Sequence, residues 1–130
     1  MARLILDTTV LIGAERRRAS LDEIIRDEDD VAMAAVTLAE LLVGVALADS
    51  KHRTKRQAFI DDVVSVLPIE AYEAEVAQAH ATLMAHVRRV GRPRGAHDLI
   101  IAATARARDR EVVTLEEAGF EDLPGVRVRQ

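Results

Sequence analysis

The amino-acid sequence predicts an α/β domain with a central parallel sheet of four to five strands and helices on both faces. Short apolar segments alternate with longer helical ones along the chain, the order that builds parallel βαβ units. The first of them, residues 4–6, is a continuous apolar run, which is typical of a buried strand. No repeat, low-complexity stretch or linker divides the 130 residues, so we expect one domain over residues 1–130.

Five short segments are the candidate strands. The first ends at Asp7, and the third is closed by Pro68. A Pro124-Gly125 turn precedes the last one. The candidate strands comprise residues 4–6, 31–36, 64–69, 112–114 and 126–128.

Five further segments have helical composition or spacing: residues 21–26, 37–48, 54–64, 71–90 and 98–108. Ser20 is a suitable N-cap for the first. In the longest, apolar residues recur every three or four positions and predict one stripe that faces the core, at Tyr72, Val76, Ala79, Leu83, Val87 and Val90. The last is apolar nearly all round at residues 99–103, which predicts a buried helix. The segment 91–95 between these two is a loop by its Gly and Pro content.

The composition excludes several kinds of site. The chain has no cysteine, which excludes disulfides, zinc–thiolate sites, iron–sulfur clusters and thiol nucleophiles. With one Tyr, two Phe and no Trp, it also lacks the rings on which successive bases would stack. No apolar run approaches the ~18–20 residues of a membrane span, and Asp7 interrupts the apolar stretch that resembles a signal peptide. We therefore expect a cytoplasmic protein without membrane association.

The charge is unevenly distributed. A formal net charge of -4 is unusual for a nucleic-acid-binding protein, which normally has a basic surface. Residues 82–110, however, contain seven Arg and only two acids, whereas the rest of the chain has 11 basic and 20 acidic residues. A locally basic region is therefore compatible with the acidic average.

Four acids are expected at one edge of the sheet. Asp7 follows the first strand, Glu40 lies near the start of the helix after the second, Asp98 opens the buried helix, and Glu116 follows the fourth strand. In open α/β sheets, ligands bind beyond the carboxyl ends of the strands. The four carboxylates are therefore candidates for one site.

Each acid also has a structural explanation. Glu40 could complete a capping box with Thr37, and Asp98 would be favoured by the helix dipole. Asp7 could form an Asx turn, and Glu116 could be a solvated loop acid. For Asp7 and Asp98 a functional role is favoured, because the first interrupts an apolar run and the second precedes one.

Taken together, the four acids favour a metal site. Converging carboxylates repel each other, and without a cation their pKa values would rise. All-oxygen ligation suits Mg²⁺ or Mn²⁺, and magnesium leaves coordination positions open for substrate phosphates. The pattern therefore indicates phosphodiester chemistry.

Four segments resemble the motifs of a known family. They are LILDTTVL at 4–11, VTLAELLVG at 36–44, AHDLIIAATA at 96–105, and VTLE at 113–116 with the residues that follow it to 126. In these segments the chain resembles the PIN-domain family and, within it, the VapC-type toxins of prokaryotic toxin–antitoxin pairs. The third segment is the most specific match, and the resemblance covers essentially the whole chain.

The resemblance implies a Rossmann-like PIN fold and a Mg²⁺- or Mn²⁺-dependent endoribonuclease that cleaves RNA with a metal-activated water. It further implies a homodimer that assembles with a VapB-type antitoxin into a heterotetramer or larger complex. Asp7, Glu40, Asp98 and Glu116 match the metal-binding catalytic acids, although Glu116 stands where the family usually has Asp or Asn. The hydroxyls of Thr8 and Thr114 match positions that support the acids. Glu40 is a candidate proton acceptor.

RNA phosphates require cationic partners. Arg16, Arg17, Arg92 and Arg94 are candidates because they lie near the acids in sequence, and each could instead be a solvated charge. His97, next to Asp98, is at least as consistent with a polar role at the helix start as with catalysis. The other three histidines have no metal-ligand spacing, and the sequence suggests no role for them.

Two other classes of magnesium-dependent protein fit the sequence poorly. A phosphoaspartate receiver needs a lysine on a late strand, but the only lysines are Lys51 and Lys55. An aspartate-nucleophile phosphohydrolase needs Asp-x-Asp, but Asp7 is followed by two threonines. Two alternatives remain open: a PIN nuclease that processes RNA without an antitoxin, and a catalytically weakened PIN-like binding module, which the Glu116 departure allows.

Overall fold

The computed structural model describes residues 1–17 and 25–129, with the backbone but not the side chain of Arg17. The strands are β1 Arg3–Leu6, β2 Asp30–Ala34, β3 Ile69–Glu70, β4 Glu111–Val113 and β5 Arg127–Val128. The helices are α1 Thr8–Arg17, α2 Ala35–Leu47, α3 Ser50–Val66, α4 Ala74–Val90 and α5 Ala96–Ala107. A 3₁₀ turn covers Glu117–Gly119.

The five strands form one parallel sheet in the order β3-β2-β1-β4-β5. In the central strand, Leu4 pairs with Val31 on one side and with Glu111 on the other. The chain moves outward from β1 to β3 and then returns to the far side of β1. The strand order therefore reverses between β1 and β4, where the carboxyl ends of the strands open a crevice. The predicted α/β class with a parallel sheet is confirmed.

Both faces of the sheet are covered. Ile5 points to a core shared with α4 and α5, whereas Leu4 and Leu6 point to a core shared with α1, α2 and α3. All three residues are fully buried, which explains why β1 is a continuous apolar run. As predicted, α5 is largely buried between the sheet and α4. None of the helices described is long and apolar enough to cross a membrane.

The predicted strand over residues 64–69 is wrong in most of its length. Asp49 caps α3 by accepting a hydrogen bond from the His52 amide, and the helix continues through Val66. Leu67 is extended, as the steric demand of the following Pro68 favours, and only Ile69–Glu70 pairs with β2. The β-branched composition of the segment suggested a strand, but Val64 and Val66 lie in the last turn of α3.

The bounds of other helices also differ from the predicted ones. The helix predicted over residues 21–26, capped by Ser20, falls mostly outside the described residues, whereas α1 was not predicted. Helix α4 begins at Ala74, so Tyr72 precedes it and is exposed. Val90, the last residue of α4, is also exposed, so both ends of the predicted stripe were wrong and only its middle faces the core. Helix α2 begins at Ala35, two residues before Thr37.

Candidate active site

Asp7 is the best-anchored acid of the site. It follows β1, its amide donates to the Val113 carbonyl at 2.9 Å, and its side chain is buried. Oδ1 accepts the Thr8 amide at 2.8 Å. This bond is to the next residue, whereas the Asx turn predicted for Asp7 would use the amide two residues on. Oδ2 accepts the hydroxyls of Thr9 at 2.7 Å and Thr114 at 2.8 Å. Each oxygen of a carboxylate has about two lone pairs, so Oδ1 retains acceptor capacity while Oδ2 is fully used.

Two threonine hydroxyls connect the ends of β1 and β4. The Thr114 hydroxyl accepts the Glu116 amide at 2.9 Å, and the Thr9 hydroxyl accepts the Leu115 amide at 3.2 Å. The prediction from the resemblance placed Thr114 here, but it did not include Thr9. The Thr-Thr pair after Asp7 was the available signal, because hydroxyls near a helix start commonly bond to nearby polar groups.

Glu40 lies in the second turn of α2, whereas the sequence predicted that it lies in the first turn. The N-cap is Ala34, which makes no side-chain cap, so the capping-box explanation is wrong. Instead, Oε1 of Glu40 accepts the Thr8 hydroxyl at 2.8 Å, and that hydroxyl lies 3.3 Å from the fully buried hydroxyl of Thr37. Thr8 therefore supports Glu40 through its side chain and Asp7 through its backbone amide.

His97 contacts the same acid. Its Nδ1 lies 3.4 Å from Oε2 of Glu40, and its side chain is more than half exposed. It is the second residue of α5, so it connects α5 to α2 across the mouth of the site. The sequence alone left open whether His97 is a polar residue at the helix start or takes part in catalysis. The structure shows that it contacts Glu40, one of the predicted site acids.

Asp98 lies in the first turn of α5, as predicted, and faces the other three acids. Partial burial raises the pKa of its carboxyl, and the negative charges of Asp7, Glu116 and Glu40 raise it further. His97 opposes this effect. Two glycines pack closely on the carboxylate: a Cβ would lie 3.2 Å from Asp98 Oδ2 at Gly95 and 2.8 Å from it at Gly119. The absence of side chains at these positions leaves space for the Asp98 carboxylate.

The donor set fits a hard divalent cation. The structure brings the four predicted acids together, and the charges of Asp7, Glu116 and Glu40 add to the effect of burial in raising the pKa of Asp98. In their present rotamers, no three His, Asp or Glu side chains among the described residues are arranged to hold a metal ion. Asp98 is only partly buried, and Glu116 is exposed on a loop, so these side chains have room to reorient. The residue types fit Mg²⁺ or Mn²⁺, and ligation would require such a reorientation.

The arginines of the basic segment separate in space. Arg110 is buried at the amino edge of the sheet against Asp30, and Arg108 lies beside Glu70 and Glu73. Neither faces the acids, although the sequence suggested one basic patch. Arg92 and Arg94 lie on the loop that leads to Asp98, where they line a pocket that contains none of the four acids. Of the α1 candidates, Arg16 lines a small pocket beside Glu40, whereas the side chain of Arg17 lies outside the described part of the chain.

The sequence and structure were compared with those of known proteins. The PIN domain family matches residues 4–126. Ribonuclease VapC5 of Mycobacterium tuberculosis is 39% identical over 124 residues, which cover 93% of this chain and 87% of that protein. The tRNA(fMet)-specific endonuclease VapC of Shigella flexneri is 31% identical over 129 residues, with 98% and 96% covered.

A solved structure agrees with these relatives. A chain in the crystal structure of VapBC-5, a member of the VapBC family of toxin–antitoxin systems from Mycobacterium tuberculosis, is 32% identical with a TM-score of 0.82. The match covers 100% of this chain and 99% of that one. The agreement therefore extends over the whole sheet and both helical layers. The chain belongs to the PIN domain family and, within it, to the VapC type.

Proposed function

We propose that this protein is a metal-dependent endoribonuclease and the toxin of a VapBC-type toxin–antitoxin pair. Its relatives include proteins named ribonuclease and endonuclease VapC, and solved VapBC complexes share its fold. The observation that carries the proposal is the arrangement of acids around Asp98, whose pKa is raised by burial and by Asp7, Glu116 and Glu40. A nuclease acting on phosphodiesters with hard cations requires such an array of oxygen donors.

Asp7 and Asp98 would be the principal ligands of Mg²⁺ or Mn²⁺, and Glu40 and Glu116 would complete one or two sites. When bound, the ion would supply an activated water and neutralise charge on the phosphate. Asp7 contributes a preorganised carboxylate, because Thr9 and Thr114 hold Oδ2 and the Thr8 amide holds Oδ1. The Thr8 and Thr114 hydroxyls therefore orient the acids and need not touch the substrate.

Glu40 is the candidate proton acceptor in the proposed reaction. Its Oε1 is occupied by the Thr8 hydroxyl, whereas Oε2 faces the partly exposed His97 at 3.4 Å. We assign the proton from the attacking water to Oε2, since this is the oxygen without a short hydrogen bond. His97, when protonated, would donate to that oxygen, so it is placed to tune its basicity.

We further propose a partner protein, an oligomeric state and a cellular location for this chain. A VapB-type antitoxin is the expected partner, because solved relatives occur in VapBC complexes. We also propose a homodimer, a heterotetramer or larger complex with the antitoxin, and action on RNA in the cytoplasm. Expression of the chain alone should arrest growth, and a co-expressed VapB-type antitoxin should relieve the arrest. A folded chain that causes no arrest, but cleaves RNA, would favour an RNA-processing PIN nuclease without an antitoxin.

A cleavage assay tests the chemistry. The wild-type chain with Mg²⁺ or Mn²⁺ should cleave a mixture of cellular RNAs, and excess EDTA should abolish cleavage. Asp98→Asn should lose cleavage and remain folded by circular dichroism. Asp62→Asn, an exposed substitution on α3, provides the matched control and should cleave normally. Full activity in EDTA, or of Asp98→Asn, would contradict the metal-dependent mechanism, and metal binding without cleavage would favour the catalytically weakened binding module.

A further inference from the structure

A second pocket, which we call the Arg94 pocket, lies beside the loops that hold Asp98. It is formed at the carboxyl end of α4 and has a volume of about 220 Å³, far more than one water needs. Apolar side chains of α4 and Leu123 form part of its wall. Its polar lining consists of His86, Arg92, Arg94 and Asp122. It is therefore a concave site with two guanidinium groups and a single carboxylate.

Arg94 is the unusual member of this lining. Its Nη1 is buried, yet within the described part of the chain it has no hydrogen-bond partner. Leaving a buried donor unpaired costs free energy, so such atoms in folded proteins are commonly completed by a ligand or by water. Arg92 is better compensated, since its Nη1 lies 3.5 Å from Asp122 Oδ2 with both side chains exposed. Arg94 thus lines the pocket and carries a guanidinium nitrogen that has no partner within the described part of the chain.

The pocket shares its loops with the carboxylate site. Arg94 precedes Gly95, and Leu123 follows Gly119 by four residues; these are the two glycines that pack against Asp98 Oδ2. The Arg94 pocket and the Asp98 carboxylate are therefore bordered by the same pair of loops. None of the four acids lines the pocket, so an anion in it would be held by a separate set of residues.

We propose that the Arg94 pocket binds a backbone phosphate of the RNA next to the one that is cleaved. This inference rests on the proposed nuclease function. The guanidinium fork of Arg matches phosphate oxygens, and the scarcity of aromatic side chains leaves charge as the main source of RNA affinity. An acidic group of a protein partner would use the same chemistry. We favour RNA because the two loops that line the pocket also pack on the Asp98 carboxylate, through Gly95 and Gly119.

Binding measured without cleavage tests the proposal. The probe is a short fluorescent single-stranded RNA, titrated with the full chain in EDTA and followed by anisotropy. Arg94→Ala and Arg92→Ala should each raise Kd, by about tenfold for Arg94. The slope of log K against log salt should become shallower by about 0.7 for each lost phosphate contact. Arg89→Ala is the matched control, since Arg89 is an exposed residue in the last turn of α4 outside the pocket.

Thermal unfolding separates binding from folding. Since no hydrogen bond to Nη1 would be lost, Arg94→Ala should unfold at the wild-type temperature or above it. The exposed Arg92→Ala keeps the test decisive if the Arg94 variant misfolds. Equal weakening by Arg94→Ala, Arg92→Ala and Arg89→Ala would overturn the inference, because diffuse charge would then explain RNA binding.

Other outcomes distinguish this inference from the proposed function. A wild-type chain that cleaves RNA, but whose Arg94 and Arg92 variants bind RNA as the wild type does, overturns the pocket and leaves the nuclease intact. Loss of rescue by the antitoxin, with RNA binding unchanged, would reassign the pocket to an acidic group of that partner. A wild-type chain that neither binds nor cleaves RNA overturns both proposals.

Discussion

The hydroxyl of Thr114 donates a 2.8 Å hydrogen bond to Oδ2 of Asp7, although the two residues are 107 positions apart in the chain. The bond crosses the point where strand order reverses, from the end of β4 to the end of β1. It holds the buried acid of the site in one orientation. Hydroxyls of this kind, one step removed from a proposed ligand, determine how a carboxylate presents its remaining lone pairs.

Thr114→Val should therefore reduce RNA cleavage by about 10- to 100-fold without unfolding the chain. The substitution keeps the shape of the side chain and removes the donor to Asp7. Initial rates in Mg²⁺ and metal affinity by calorimetry are the measurements. Thr114→Ser should restore most activity. The control is Thr82→Val, which removes a hydroxyl from the exposed face of α4. An equal loss of cleavage in this variant would argue against a specific role of Thr114.

The raised pKa of Asp98 predicts a pH-dependent effect on stability in the absence of metal. The folded chain holds this proton more tightly than the unfolded chain, since burial and the neighbouring acids raise the pKa above the ordinary value of 3.8. The contribution of Asp98 to stability is therefore fully present below that value and is lost as pH rises through the pKa of the folded state.

Asp98→Asn should accordingly unfold at a higher temperature than the wild type near neutral pH in EDTA. The difference should shrink as the pH approaches the ordinary pKa of aspartate, where both side chains are neutral. Thermal unfolding across this pH range provides the measurement, with Asp62→Asn as the exposed control. A less stable Asp98→Asn at neutral pH would mean that the carboxylate is well compensated in the fold.

Gly119→Ala should impair cleavage through a steric effect on Asp98. The new Cβ would lie 2.8 Å from Oδ2, so the carboxylate must move, and a short side chain can do this without unfolding the protein. We expect reduced cleavage with a normal circular dichroism spectrum. Gly44→Ala is the matched control, because a Cβ at Gly44 meets nothing within 4 Å.

The Gly44 control has its own expected result. Alanine in the middle of α2 should stabilise the helix by about 0.5–1 kcal/mol and leave cleavage unchanged. Urea unfolding measures the first effect and initial rates measure the second. If the two alanine substitutions affected cleavage equally, crowding of Asp98 could not be the cause of the loss at Gly119.

Arg110 is expected to contribute to stability and not to RNA binding. It is buried, and its Nη1 donates to the carbonyls of Leu4 and Asp30 and to Asp30 Oδ1. Its guanidinium also holds the pKa of Asp30 below the usual range. Arg110→Met would remove this donor from the two carbonyls, whereas the Asp30 carboxylate would keep its pair with Arg3.

We expect Arg110→Met to lower the free energy of unfolding by about 2 kcal/mol or more, because buried carbonyls lose their donor. Urea unfolding provides the measurement. Arg127→Met, which breaks an exposed pair with Asp109, should barely change stability. A neutral result for Arg110→Met would show that water replaces the guanidinium at the edge of the sheet.

The helix and strand pattern was largely accessible from the sequence. A continuous apolar run such as residues 4–6 predicts a buried strand from its composition alone. The apolar residues of α4 recur every three or four positions, at Val76, Ala79, Leu83 and Val87, and this spacing predicts a helix. The segment 64–69 was wrongly predicted as a strand because the end of a valine-rich helix and a short strand can have the same composition. Whether such a segment is a helix depends on the cap at Asp49, fifteen residues before it, and on what it packs against.

The sequence alone determined the α/β class, the approximate positions of the strands and the four acids at the carboxyl edge of the sheet. These follow from local hydrophobic patterns and from the rule that parallel strands end at one edge. Only the tertiary structure decided which hydroxyls support Asp7 and Glu40, and which arginines of the basic segment pair with acids outside the site. It also decided that Nη1 of Arg94 has no hydrogen-bond partner within the described part of the chain. Those relationships depend on the pairing of β1 with β4 and the packing of α4 on α5, which join residues far apart in the chain.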